Sequence, residues 1–114
     1  MTDRDRELAI VIRKALRKKK AYGLLPVMRD ATLSTLHPHA GRFIKKIADR
    51  RLVARKGVWV GTSEYHVWVS MNDYILELDE MRYLATIESI ISSNIKQGYI
   101  TDEECNDSED DNRD

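Results

Sequence analysis

The stretch from His37 to Trp68, HPHAGRFIKKIADRRLVARKGVWVGTSEYHVW, decides the fold because its apolar period changes once inside it. Over Pro38 to Arg50, Ala40, Phe43, Ile44 and Ile47 recur at helical spacing and predict one buried stripe, with His39, Arg42, Lys45, Lys46, Asp49 and Arg50 on the other faces. Pro38 suits a first helical position, since proline has no N–H to leave unsatisfied there and its φ is already helical. Ser34, Thr35 and His37 are equally eligible to begin the helix. From Val53 the residues are β-branched and aromatic and alternate. Val53 to Val60 and Tyr65 to Val69 therefore predict two strands, with Gly61-Thr62-Ser63-Glu64 as the hairpin turn. On the first strand Ala54, Lys56, Val58 and Val60 share one face, and Val53, Arg55, Gly57 and Trp59 share the other. Trp59 and Trp68 are either core pillars, the commoner outcome, or exposed stacking surfaces.

Upstream, Thr2 or Asp3 can cap a helix from about Asp5 to Lys20, in which Leu8, Val11, Ile12, Ala15 and Leu16 form the apolar side. Arg13, Lys14, Arg17 and Lys18 lie opposite. Asp3, Asp5 and Glu7 at its start and Lys18-Lys19-Lys20 at its end both suit the helix dipole. The lysine cluster is read equally as helix-end solvation or as phosphate contact. Gly23 ends this helix. A short second helix is expected from about Leu24 to Ala31 or Thr32, with Pro26 in its first turn and Leu24, Val27, Met28 and Ala31 inward. Thr32 to His37 is then a turn.

Downstream, Ser70, Asn72 or Asp73 can cap one long helix from about Asp73 to Gln97, ended by Gly98. Its apolar side is Tyr74, Leu78, Met81, Leu84, Ala85, Ile87, Ile91 and Ile95. At ~1.5 Å per residue it would run about 37 Å, more than the preceding body can cover. Tyr74, Leu78, Met81, Leu84, Ile87, Ile91 and Ile95 are therefore expected at a homodimer interface, ahead of the alternative that the helix folds back as the last core helix of a monomer. Residues 1–70 are expected to form the main domain, 71–98 the long helix and 99–114 an acidic disordered tail, which is solubilising by default or else competes with a polyanion for the basic surface.

A chain of 114 residues holds one modest core. Its 42% hydrophobic content, without an apolar run near ~18 residues, argues for a soluble globular chain with no membrane span. The opening MTDRDREL is too charged for a signal peptide. The single cysteine, Cys105, excludes an internal disulfide and a cysteine-built metal site and fits a reducing cytoplasm. The formal net charge of zero conceals an asymmetry. Residues 1–60 carry 16 Lys/Arg and 5 Asp/Glu, whereas residues 61–114 carry 3 and 14. Such a split points to a nucleic-acid or membrane partner for the basic half. The amphipathic first helix has only aliphatic residues on its apolar side, so core packing explains it more simply than a membrane surface does.

The order helix, short helix, turn, helix, β-hairpin, long helix resembles the winged helix-turn-helix proteins. The junction Phe43-Ile44-Lys45-Lys46-Ile47-Ala48-Asp49-Arg50-Arg51-Leu52-Val53-Ala54-Arg55-Lys56 looks like the end of the recognition helix and the start of the wing in MarR- and PadR-type transcriptional regulators, except that Arg51 stands where those proteins usually have glycine. The resemblance covers about residues 5–97. It implies a mainly α, α+β fold with a small hairpin, and a DNA-binding regulator of the repressor type, dimeric through its last helix. It also implies that the third helix enters the major groove with its N-terminal residues nearest the bases. His37, His39 and Arg42 would then read bases. Lys45, Lys46 and Arg50 would meet phosphates or the groove wall, and Thr32, Ser34 and Thr35 would donate to phosphates. Arg55, Lys56, Thr62 and Ser63 of the wing would reach the backbone or minor groove, with Lys18 to Lys20 as a further contribution.

No cofactor is implied. His37-x-His39 lacks a placed third metal ligand, although Asp30 or His66 would be eligible, so no metal site is assigned. Glycine-rich phosphate loops, nucleophile elbows and paired carboxylates in a cleft are missing, so no enzyme is expected. Two alternatives belong to other classes: a winged-helix protein-interaction module, and a DNA-binding subunit in replication or packaging.

Overall fold

The computed structural model describes residues 1–100. The first helix, α1 (Asp3–Ala21), starts on a capping box, in which the Thr2 hydroxyl accepts from the Asp5 backbone N–H at 3.1 Å and the Asp5 carboxylate accepts from the Thr2 N–H at 3.4 Å. Leu8, Ala9, Ile12 and Leu16 are buried along one side, as the spacing predicts. Gly23, at φ +76°, turns the chain off the helix, and the Leu24 N–H bonds back to the Lys19 carbonyl at 2.9 Å.

The second helix is not where the sequence places it. Residues 24–26 are not helical, and Val27–Arg29 form a short strand, β1, before α2 runs over Asp30–Leu36. Leu25 precedes proline and is thereby pushed away from the helical region. Val27, Met28 and Arg29 pair antiparallel with Ser70, Val69 and Trp68. A three-residue strand is too short to show its period, and the sheet edge that recruits it lies forty residues downstream. Thr32, Ser34 and Thr35 consequently sit on α2 and not in a turn.

The third helix, α3, is shorter than expected, at Ala40–Ile47. The His37 carbonyl accepts from the Ala40 N–H at 3.1 Å, so Pro38 and His39 form the bend into it. Ala40, Phe43, Ile44 and Ile47 are buried as predicted. Arg50 falls beyond the helix, in a tight turn organised by Asp49. The Asp49 carbonyl accepts from the Val53 N–H at 2.8 Å, and its carboxylate accepts from the Arg51 N–H at 2.8 Å. Every described non-glycine residue keeps a negative φ, and the Asp49 side chain closes this turn without a glycine.

The hairpin matches the prediction closely: β2 (Val53–Val60) and β3 (Glu64–Met71) turn on Gly61 at φ +73°. The sheet order is β1-β3-β2, antiparallel throughout. The register puts Val53, Arg55, Gly57, Trp59, Tyr65, Val67, Val69 and Met71 on one face, and the base of that face, Val53, Val69 and Met71, enters the core. The hairpin outruns the helical body, so neither tryptophan is a core pillar. Trp59 is exposed, and Trp68 is half-buried on the opposite face with Lys56 and Arg29 as its cross-strand neighbours.

The single long helix is two. Asn72 caps α4 (Asp73–Glu77), accepting from the Tyr74 N–H at 2.8 Å, and Asp79 caps α5 (Glu80–Lys96), accepting from the Arg82 N–H at 2.9 Å. Leu78 between them is extended, and Arg13 of α1 donates to its carbonyl at 2.8 Å, which fixes the break. The break lets α5 fold back against α1 and α3. Tyr83, Ile87, Ile90, Ile91 and Asn94 are buried, and the Tyr83 hydroxyl donates to the Ala9 carbonyl at 2.7 Å. Ile87 and Ile91, expected at a dimer interface, therefore lie in this chain's own core, with Leu78, Leu84 and Ile95 packed partly buried against it. Tyr74 and Met81 alone of that set are exposed. The stripe read as uncovered is covered, and residues 71–98 belong to the same body as 1–70. Ile100 is buried too, so that body includes residues assigned to the tail. The disorder expected of the rest, 101–114, lies outside the described residues. Among the described residues no helix is long and apolar enough to cross a membrane.

Candidate nucleic-acid interface

With Phe43, Ile44 and Ile47 facing inward, the side of α3 turned to solvent carries Arg42 and Lys45, three residues apart and both exposed. This pair sits between the α2–α3 bend and the Asp49 turn. Arg50 and Arg51 are exposed at that turn, and Lys56 is exposed on β2. Thr62 and Ser63 are exposed at the hairpin tip.

Several other residues expected at this surface are committed elsewhere. Lys46 is buried, and its ammonium donates to the Asp5 carboxylate at 3.1 Å, with both side chains about 3% exposed. The helical stripe predicts four apolar positions, but α3 packs against α1 on one flank and α5 on the other, which encloses Lys46 as well. The Asn94 side-chain amide donates to the Lys46 carbonyl at 2.9 Å from the α5 side. Lys46 therefore ties α3 to α1 and is removed from the candidate phosphate contacts. Arg55 lies on the inward face of β2, with its guanidinium 3.6 Å from the Asp30 carboxylate at the start of α2. The Ser34 hydroxyl donates to the Asp30 carbonyl at 3.1 Å and that of Thr35 to the Thr32 carbonyl at 2.6 Å, so both are spent within α2 although exposed. Thr32 borders an apolar groove between α1 and α2.

Two of the three lysines at the end of α1 are also engaged, while Lys18 is exposed. Lys19 donates to the Val27 carbonyl at 2.6 Å and so anchors β1. Lys20 lies 3.1 Å from Asp73 and 3.2 Å from Glu77 of α4, and these hydrogen bonds, that of Asp73 foremost, raise its pKa. Arg13 spans Leu78 and the Tyr83 ring, 5.4 Å from its centroid.

His37 and His39 are half-buried at the bend, with rings 5.6 Å apart, and His37 Nδ1 accepts from the His39 N–H at 3.1 Å. That bond shapes the bend ahead of α3 and leaves one fewer nitrogen on His37 for a base. Among the described residues no group of three or more His, Cys, Asp or Glu side chains is placed to hold a metal ion.

Two features escaped the sequence. One is Arg51, exposed beside Arg50 because the Asp49 side chain takes over the turn. The other is an aromatic pair near the hairpin tip, Trp59 and Tyr65, which are directly cross-strand with ring centroids 5.3 Å apart and are 68% and 56% exposed. The register could have shown this pair, since the turn at Gly61 sets it, but exposure depends on how far the hairpin outreaches the helices.

Comparison with protein-family models, with curated proteins and with solved structures gives no match for this chain.

Proposed function

We propose that this chain is a winged helix-turn-helix protein that binds double-stranded DNA and regulates transcription as a repressor. The observation that carries this reading is α3 itself, a short helix whose inner side is wholly committed to the core while Arg42 and Lys45 stand on its outer side. The element order α1-β1-α2-α3-β2-β3 and the sheet order β1-β3-β2 support it, because they set a helix pair beside a projecting hairpin. In this reading α3 enters the major groove and Arg42 makes a two-point contact to a guanine edge. Lys45, Arg50, Arg51 and Lys56 neutralise phosphates, and the hairpin tip lies along the backbone. Such a surface draws most of its affinity from released counterions and its specificity from few side chains.

A homodimer remains part of the proposal, since an eight-residue helix reads only a few base pairs and a second copy doubles the site. Its interface cannot be the buried α5 stripe and is left to exposed residues, Tyr74 and Met81 among them. Binding to duplexes across a salt series tests the reading. Arg42→Ala is expected to cost roughly 1–3 kcal/mol on the selected site and to relax one base position, and Lys45→Ala to lower the salt slope by about 1 on all sequences. Absence of binding at low salt refutes it. Sedimentation of the free chain at micromolar concentration reads the dimer, and a single-chain mass removes that part.

One observation favours a second reading, a protein-interaction module. Tyr22, Leu24, Leu25 and Leu36 are all exposed large apolar side chains, and Tyr22, Leu24 and Leu36 line the α1–α2 groove of about 260 Å³ with Met28. Indifference of binding partners to Lys45 and Arg42, with sensitivity to Leu24→Asp, would replace the first reading by this one.

A further inference from the structure

A cleft of about 570 Å³ opens between the Asp49 turn, β2 and the end of α5. Arg50, Arg51 and Arg55 line it together with Asp49, Asn94 and Tyr99. Asp30 faces Arg55, and Asp49 keeps its charge while accepting from the Arg51 N–H, so the three arginines of the cleft leave it with a net positive formal charge. Its wall includes Ala48 and Asp49, just past the end of α3, and Lys45 and Arg42 are exposed further back on that helix.

The chain itself is directed here. Gly98, at φ +82°, turns it off α5, and the Asn94 carbonyl accepts from the Tyr99 and Ile100 N–H groups at 2.9 and 3.4 Å. Tyr99 then forms part of the cleft wall and Ile100 is buried, 5% exposed. The next fourteen residues, Thr101 to Asp114, contain eight Asp/Glu and one Arg. The first three acids, Asp102, Glu103 and Glu104, follow within four residues of the anchored Ile100. At ~3.3 Å per residue the ten residues Asp102 to Asp111 reach about 33 Å when extended, against about 12 Å for the length of α3.

We propose that the acidic segment Asp102–Asp111 docks intramolecularly in this arginine-lined cleft and along the outer side of α3. Origin, sign and reach agree: the segment begins three residues after Tyr99 of the cleft wall, its charge is opposite, and its extended length exceeds that of α3. Tethering makes the contact effectively concentrated, so individually weak exposed ion pairs suffice. The surface covered is the one assigned above to DNA. On that reading, and resting on it, the segment is an autoinhibitor that a DNA backbone must displace.

The test does not involve DNA, so it stands or falls apart from that reading. Cys105, the only cysteine, lies within the segment and accepts a nitroxide spin label without any substitution. Amide signals of the labelled 114-residue chain are compared with those of a variant of the same length in which the eight acids of Thr101–Asp114 are changed to Asn or Gln, with the same label and the same tether. The native segment is expected to attenuate the amides of Gly41–Lys45 and Ala48–Arg55 more strongly than the neutral one does. That excess should vanish at about 1 M salt, where the Debye length is near 3 Å, and in R50Q/R51Q. Equal attenuation by the two segments overturns the proposal, and so does an excess that survives R50Q/R51Q. If the docking holds, the neutralised segment should also tighten any duplex binding; a docked segment with no duplex binding in either form refutes the DNA reading alone.

Discussion

Lys46 offers the sharpest check on how the structure uses its charges. It was expected at the surface of α3, and it is instead the buried half of an ion pair with Asp5 at 3.1 Å, each side chain about 3% exposed. Lys46→Met keeps most of the aliphatic stem but leaves the Asp5 carboxylate enclosed without its cation. Breaking one partner of a buried pair costs roughly 3–5 kcal/mol, a large share of the ~5–15 kcal/mol that holds a domain of this size. With a urea m-value of about 2 kcal/mol/M, the unfolding midpoint should fall by ~2 M. Adding Asp5→Asn removes the stranded charge, while the amide oxygen still accepts from the Thr2 N–H as the carboxylate does at 3.4 Å. The double variant should therefore recover most of the loss, with a coupling energy of about 1–3 kcal/mol in the cycle. Lys45→Ala, one position away and exposed, should change stability by less than ~0.5 kcal/mol. The assay is urea unfolding followed by circular dichroism. A Lys46→Met midpoint within ~0.3 M of the parent, or an Asp5→Asn change that adds its cost on top, refutes the enclosed pair.

The other predictions concern the α5 contact and the hairpin. Tyr83→Phe removes the hydrogen bond to the Ala9 carbonyl but keeps the ring under Arg13, so a loss of about 1 kcal/mol is expected, read by the same unfolding assay. Burial raises the Tyr83 pKa, with the Arg13 charge opposing, and the bonds to Asp73 and Glu77 raise that of Lys20. Both groups hold protons in the folded chain that the unfolded chain gives up near pH ~10, so stability should be flat below that value and fall as pH rises past it. Tyr83→Phe should make that decline shallower, and an unchanged decline refutes the assignment to Tyr83. At Gly57 an added Cβ would overlap Tyr65 Oη and Cζ, so Gly57→Ala should swing the exposed Tyr65 ring away and break its contact with Trp59. A shift in tryptophan emission with little loss of stability is expected, and unaltered emission contradicts the packing.

The parts of the fold legible in the sequence are those whose cause is local. The α1 stripe, the α3 stripe and the hairpin follow from periods of 3.6 and 2 within a single run of residues. The parts that were not legible depend on partners distant in the chain. Val27–Arg29 is a strand because β3 supplies an edge for it. The helix after Asn72 breaks at Leu78 because Asp79 caps a new helix and Arg13 holds the intervening carbonyl. A continuous apolar stripe across Tyr74, Leu78 and Met81 read as one helix and masked the break. Once the helix breaks, its inward face rotates onto Tyr83, Ile90 and Asn94, none of which belonged to that stripe.

The candidate surface was harder to read for a related reason. A cation counted in a sequence has two possible employers, a partner or the fold, and composition does not separate them. Part of the surplus in residues 1–60 answers charge within the same chain: Lys46 meets Asp5, Lys20 meets Asp73 and Glu77, and Arg55 meets Asp30. Lys19 and Arg13 hold carbonyls of β1 and of the α4–α5 break. Two of these contacts, those of Lys20 and Arg13, cross from the basic half to the acidic half, so the asymmetry that pointed outward is partly the glue between halves. The subtraction withdraws these residues from the candidate surface. Of the other cations in residues 1–60, Arg42, Lys45, Arg50 and Arg51 are exposed on the outer side of α3 and at the Asp49 turn, Lys56 is exposed on β2, and Lys14, Arg17 and Lys18 are exposed on α1. A charge census alone would have counted Lys46 and Lys19 in the interface, whereas the packing commits them to Asp5 and to the Val27 carbonyl. A polyanion that lies along α3, whether a DNA backbone or the chain's own acidic segment, meets Arg42, Lys45, Arg50 and Arg51 there, and two such polyanions compete for them.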